Sequence, residues 1–220
     1  MYSINLSKFT LDEFAEILRS IDLLPGRRVL LDNLQETVSA LKRTGIKTLS
    51  ELQSLLKKKS EYPSLTKKLP VDENYLVILS REINSYESKP LPLTKLDIFP
   101  PEEIKVLTEI GIKTTKDLYS NSLTPADIKA LSEKVSISKT KLKRALELSD
   151  LVRVTGVGPV FARMLHESGI KSITDFQKTA SDEILNRYNE TKGDLKITLG
   201  LKDIEYCKRF CEKLDIDIKW

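Results

Sequence analysis

Gly156-Val157-Gly158-Pro159 carries the most specific chemistry in this 220-residue chain. Glycine has no Cβ, so it reaches positive φ and lets backbones approach closely. Proline suits the first position of a helix, where its missing N–H would have had no intrahelical partner. The four residues read as a tight turn leading into a helix start. Backbone N–H groups at such a start point the same way and carry the positive end of the helix dipole, so a phosphate docks there without any side chain. That contact positions a protein on a nucleic-acid backbone but reads no bases. Leu151 and Val154 give the preceding helix an apolar edge, and Ala162 and Leu165 continue the inner face of the following one. Gly169 suits the left-handed position just past a helix end.

Other residue sets could do chemistry, and each reads more simply as structure. Cys207 and Cys211 lie one helical turn apart beside Ile204, Phe210 and Leu214. A structural zinc needs four ligands, and His166, the only histidine, belongs to another helix. The pair reads as buried free thiols. Asp215-Ile216-Asp217 superficially resembles a metal-binding carboxylate pair of nucleotidyl transferases, but no Gly-Ser phosphate element or third carboxylate accompanies it. Two-metal chemistry needs a fixed clamp around both ions. His166 sits between Leu165 and Glu167 without a nucleophile signature, and no Gly-x-x-x-x-Gly-Lys loop occurs. An enzyme is not expected.

The stretch Leu151-Val152-Arg153-Val154-Thr155-Gly156-Val157-Gly158-Pro159, followed by Ala162-Arg163 and Gly169-Ile170-Lys171, resembles a helix-hairpin-helix motif. Locally it is most similar to the hairpin of family X DNA polymerases. The resemblance implies that amides around Gly156, Gly158, Val160 and Phe161, with Val157 between them, hold one DNA phosphate. It also implies that carbonyls of Val152, Val154 and Val157 cup a monovalent cation, K⁺ or Na⁺. Arg153 and Arg163 match arginines of the polymerase pattern, and Lys171 lies in the exit tripeptide. One departure stands out. Many DNA-binding hairpins place Lys or Arg just after Gly-Pro, where this chain has Val160 and Phe161.

Composition permits a DNA partner without demanding one. The net charge is +4, the hydrophobic fraction 40% and the charged fraction 31%, ordinary for a soluble protein. The isoelectric point near 8.8 is short of the strongly basic balance of an electrostatically driven nucleic-acid binder. Basic residues beside the turn come from the preceding helix: Lys139 and Lys143 share a face because they are four apart, and Lys141 and Arg144 lie nearby. Lys57-Lys58-Lys59 and Lys67-Lys68 form another basic patch, read as part of a linker. No stretch approaches the ~20 apolar residues needed to span a bilayer. The start lacks a basic region followed by an apolar run, so a cytoplasmic location without membrane association is expected.

The elements that position the turn are helices. Thr10-Leu11-Asp12-Glu13 reads as a capping box, with Phe14, Ile17, Leu18 and Ile21 along one face. A longer helix is expected from about Arg28 through Leu41, a Thr48-capped helix through Leu56, and a polar linker from Lys57 to Pro70. Asp72 caps the next helix, and Pro90 and Pro92 mark a boundary. Helix starts follow at Pro100-Pro101, Thr124-Pro125 and Ser138, then a short helix near Asp175, one from Ser181, a Lys192-Gly193-Asp194 turn and a last helix from about Lys202.

Gly-Ile-Lys recurs at Gly45, Gly111 and Gly169, which signals an internal repeat. Counting back eleven residues reaches Gly158 in the third unit, Pro100 in the second and Leu34 in the first. Only the third keeps a glycine turn. The other two carry Glu102 and Glu103, or Asp32 and Glu36, where a phosphate would approach. The whole pattern resembles an uncharacterised prokaryotic family of tandem helix-hairpin-helix proteins. The expectation is an all-α chain of three such units, two degenerate, packed as two helical subdomains, residues 1–89 and 90–220. Its expected role is non-catalytic, sequence-independent binding of double-stranded DNA through residues 156–160, aided by Arg153, Arg163, Lys171, Lys139 and Lys143. The alternative is a protein-interaction scaffold that uses an apolar patch around Phe161 and binds no nucleic acid.

Overall fold

The computed structural model describes residues 1–191, 193 and 199–219, and among them the chain is helical with no strand. It divides into two compact units, Asn5–Glu87 and Ser88–Trp220, the latter joined by Met1–Ile4.

In the Asn5–Glu87 unit, Thr10 starts α1 (Leu11–Ser20). Its hydroxyl accepts the Glu13 amide at 3.1 Å, and the Glu13 carboxylate accepts the Thr10 amide at 2.8 Å. The exchange satisfies donors that a helix start leaves orphaned. A 3₁₀ stretch, Pro25–Leu31, precedes Asn33 at φ 51, and α2 follows (Leu34–Arg43). The single helix expected from Arg28 is therefore two pieces, since a left-handed residue interrupts the right-handed helix. Thr48 and Glu51 cap α3 (Leu49–Leu56) as Thr10 and Glu13 cap α1. The expected linker from Lys57 to Pro70 folds as a 3₁₀ turn, Lys59–Glu61, and α4 (Tyr62–Leu65). Tyr62, Leu65 and Leu69 are buried and anchor it. Asp72 caps α5 (Glu73–Ser85), and Tyr86 beyond its end meets Phe14 edge-on at 6.0 Å.

In the second unit, α6 (Pro101–Glu109) begins on Pro100 without a capping side chain. Thr-Asp boxes start both α7 (Thr115–Ser120) and α8 (Pro125–Val135). Then come α9 (Lys139–Leu151), α10 (Pro159–Glu167), α11 (Ile173–Lys178), α12 (Ser181–Thr191) and α13 (Leu201–Cys211). The helix α9 packs against α7, α8 and α10, and α12 packs against α10 and α13. Ala145 through Leu151 are all buried, so the C-terminal half of α9 is enclosed on every side. Of the expected Lys192-Gly193-Asp194 turn, Lys192 and Asp194 lie outside the described residues, and Gly193 has φ 52.

The helices α2, α6 and α10 end alike. Gly45, Gly111 and Gly169 have φ of 92°, 88° and 91°. The isoleucine after each donates to a carbonyl five residues back: Ile46 to Leu41 at 3.3 Å, Ile112 to Leu107 at 2.9 Å and Ile170 to Leu165 at 2.9 Å. Glycine takes the positive φ at no steric cost, and the long bond closes the orphaned carbonyls. The next residue, Lys47, Lys113 or Lys171, gives its amide to Glu51, Asp117 or Asp175 at 2.7, 3.1 and 3.1 Å. Gly-Ile-Lys thus stops one helix and fixes the start of the next. No helix among the described residues is long and apolar enough to cross a membrane.

Candidate functional site

The glycine turn joins α9 to α10, and its two glycines have different roles. Gly156 has φ +90, and a Cβ there would sit 2.8 Å from the Cys207 Sγ and 3.6 Å from the Tyr206 ring. It lets α13 close over one side of the turn. Gly158 is extended, at φ −84, and a Cβ there would meet nothing within 4 Å. Positive φ, expected of the glycine pair, occurs at Gly156 alone.

Gly158 is also the residue before α10, and it offers no side chain to cap the helix. The first intrahelical bond closes from the Ala162 amide to the Gly158 carbonyl at 2.9 Å. Among the described residues, no acceptor pairs with the amides of Gly156, Gly158, Val160 or Phe161. Such donors sit where the helix dipole is positive, so the position is suited to an anion. The Val157 amide is committed inside the turn, donating to the Val154 carbonyl at 3.0 Å. Val152, Val154 and Val157 bury their side chains. Val160 and Phe161 are half-buried, and Phe161 stands edge-on to Tyr188 at 5.7 Å.

Arg153 does not belong to this surface. Its side chain is fully buried. Nη1 donates to the Asp150 carboxylate at 2.6 Å, Nε to the Tyr2 carbonyl at 2.9 Å, and Nη2 to the carbonyls of Met1 and Asp215 at 2.9 and 2.8 Å. The guanidinium also lies over the Tyr119 ring at 4.3 Å, a cation–π contact. Every direction from which a phosphate could reach it is filled. The residue instead ties Met1–Ile4 and Asp215 to the end of α9. Its partner Asp150 accepts the Ile173 amide at 3.0 Å, which fixes the start of α11. Burial pushes the Asp150 carboxyl above its ordinary value, against the pull of Arg153 and the Ile173 amide. An acid and a base three residues apart within an otherwise apolar stretch were the legible signal of this pair.

The remaining basic residues do not converge on the turn. Arg163 pairs with Asp97 at 2.9 Å. Lys171 is exposed beyond the far end of α10, whose nine residues advance about 13 Å. Lys139 and Lys143 are exposed near the N-terminus of α9, with Lys143 at 4.0 Å from Glu147. Lys139 lies twelve residues before Leu151, about 18 Å along the helix axis. They line a separate concavity with Lys219, a residue the sequence did not single out.

Burial pushes the Cys207 and Cys211 thiols up to about 12, so thiolate is scarce at neutral pH. His166 bonds the largely buried Glu147 at 2.6 Å, joining α9 to α10. The Asp217 carboxylate accepts the Tyr119 hydroxyl at 3.2 Å. Among the described residues there is no group of three or more His, Cys, Asp or Glu placed to hold a metal ion.

An all-helical unit with an uncapped glycine turn is as far as the geometry defines a class. Residues 97–213, spanning α6 to α13, match the family described as Domain of unknown function (DUF4332), and the chain belongs to that family. No curated protein and no solved structure matches it.

Proposed function

We propose that the chain is built of tandem helix-hairpin-helix units and binds duplex DNA by its backbone through the third hairpin, without base readout and without catalysis. The observation that carries this reading is the set of four amides, Gly156, Gly158, Val160 and Phe161, unpaired among the described residues, at a turn where a Cβ on Gly158 would meet nothing within 4 Å. The shared closure at Gly45, Gly111 and Gly169 supports three related units. Charge at the site falls to Arg163, which must leave or share Asp97, since Arg153 is enclosed. Few phosphates are engaged, so affinity is weak and falls with salt. The carbonyls of Val152, Val154 and Val157 are the donors for K⁺ or Na⁺ at the turn. Carbonyl oxygens suit such ions, and the Val154 oxygen keeps a second lone pair after its bond to Val157.

Duplex binding measured by anisotropy at low salt tests the reading. The chain binds, and Gly158→Glu weakens binding about tenfold or more while the unfolding midpoint stays in place, because a carboxylate then occupies the phosphate position. Absence of binding at low salt, or an unchanged affinity in the variant, overturns it.

A further inference from the structure

The Ser88–Trp220 unit is completed by four residues from far away in the sequence, Met1–Ile4, which belong to no helix and no strand. The buried Arg153 guanidinium donates to two of their backbone carbonyls, Nε to Tyr2 and Nη2 to Met1, each at 2.9 Å. The Tyr2 side chain is buried, with its ring edge-on to Tyr119 at 5.4 Å and its hydroxyl bonded to the Thr115 hydroxyl at 2.6 Å. Thr115 is itself fixed, since it is wholly buried and its Oγ1 also accepts the Leu91 amide at 3.0 Å. Arg153 is set by the Asp150 carboxylate and the Asp215 carbonyl. The receiving groups are therefore oriented by contacts made inside the unit, and the segment adds an extended backbone and one phenol. A bound peptide divides its contacts in the same way: main-chain groups are engaged whatever the sequence, and a socket selects one side chain.

We propose that Arg153, Thr115 and Tyr119 form a slot for an extended, tyrosine-bearing peptide, and that Met1–Ile4 occupy it as an exchangeable ligand carried by the chain itself. Exchange, rather than simple release, follows from Arg153. If the segment left, two of the carbonyls around the guanidinium would go with it, and buried N–H donors would be stranded. Any extended peptide restores those carbonyls. Only one with an aromatic side chain at the second place fills the space beside Tyr119, and only a phenol reaches Thr115. The charge of Arg153 is already balanced by Asp150, so the slot calls for neutral carbonyl oxygens and not for a phosphate or a carboxylate. This inference does not rest on nucleic-acid binding at Gly158.

The probe is a peptide of residues 1–8, Met-Tyr-Ser-Ile-Asn-Leu-Ser-Lys, with fluorescein at its C-terminus, titrated with the full chain and read by anisotropy. In the parent chain the tethered segment competes at an effective concentration of about millimolar, so the peptide binds poorly. The Tyr2→Ala chain, whose own segment has lost its side-chain hold, is expected to bind the peptide saturably and at least about tenfold more tightly than the parent does. The same peptide with alanine in place of tyrosine binds that variant at least about tenfold more weakly, since the socket beside Tyr119 stays unfilled. Unlabelled peptide raises the unfolding midpoint of the Tyr2→Ala chain, because it binds the folded state. A tyrosine with a merely structural role gives the loss of stability without this rescue. Tyr2→Phe keeps the ring and loses only the bond to Thr115, so it supplies a second, better-folded variant, expected to bind the peptide with an affinity between those of the parent and Tyr2→Ala. The proposal is overturned by absence of saturable binding to both variants, by a midpoint that the peptide does not raise, or by equal affinity for the alanine peptide.

Discussion

The starts of α6 and α10 are the same part of the same local plan, finished in two ways. Both helices end in Gly-Ile-Lys with matching hydrogen bonds, and both are followed by a short helix whose first residues are tied to an acid. Both start on a proline with no capping side chain. Yet α6 is preceded by Pro100 and carries Glu102 and Glu103, while α10 is preceded by Gly158 and carries Val160 and Phe161. Glu103 turns to Lys141 at 2.7 Å, and Glu102 stays exposed. An acidic first turn supplies its own negative charge to the dipole; an apolar one leaves that charge to come from elsewhere. Shared scaffolding therefore says little about shared function, which rests on the two or three residues before and after each proline.

The same pair of segments differs in how the following helix is held. Before α7, the Thr115 amide donates to the Leu91 carbonyl at 2.8 Å, backbone to backbone. Before α11, the equivalent Ile173 amide donates to the Asp150 carboxylate, which requires Arg153 to balance it. A side-chain pair is a more fragile anchor than a backbone bridge. Arg153→Ala is expected to give the largest effect, a loss of about 3–5 kcal/mol in urea unfolding, because it strands a buried carboxylate. If the loss is under about 1 kcal/mol, as for an exposed pair, the anchoring role is wrong.

Next in size is the contrast between the two glycines. Gly156→Ala forces a side chain into positive φ and against Cys207, so a cost of about 1–3 kcal/mol is expected. Gly158→Ala sits in an ordinary conformation with open space, and a change within about 0.5 kcal/mol is expected. Thermal unfolding of the two variants checks this, and equal losses would erase the division between packing and docking.

The smallest effect concerns the box at α7. Burial raises the Asp117 carboxyl, but bonds from the Thr114 hydroxyl and the Lys113 and Thr114 amides outweigh it and hold the group below its ordinary value. A depressed folded value means the contribution is complete above the ordinary carboxylate range, about pH 4, and drains away as pH falls through the depressed one. Asp117→Asn should therefore shallow the acid limb of the stability curve and leave its alkaline side unchanged. An unchanged acid limb would show that the box contributes nothing pH-dependent.

Much of this was legible in the residues. Thr10, Thr48 and Thr124 announce helix starts through acids three positions on, and the structure shows all three boxes and adds a fourth at Thr114. These are local exchanges, complete within four residues, so no distant contact can revise them. The helix stops at Gly-Ile-Lys are local in the same way, as is the turn at Gly156. The linker from Lys57 was misread because Tyr62, Leu65 and Leu69 are spread among lysines and serines, and their burial depends on helices elsewhere in the unit.

Local sequence thus determined most helix starts and stops, and that one of the three helices closed by Gly-Ile-Lys starts from a glycine turn. Tertiary structure decided which side chains are available beside it. Arg153 looks like a phosphate ligand in the chain and is enclosed by Met1, Tyr2, Tyr119, Asp150 and Asp215, segments up to 152 residues away. Lys139 and Lys143 look like neighbours of the turn and are carried about 12–18 Å from it by the rise of α9, toward Lys219. Caps and turns are short-range hydrogen bonds written in consecutive residues. Burial and charge pairing are long-range, fixed only when the helices pack.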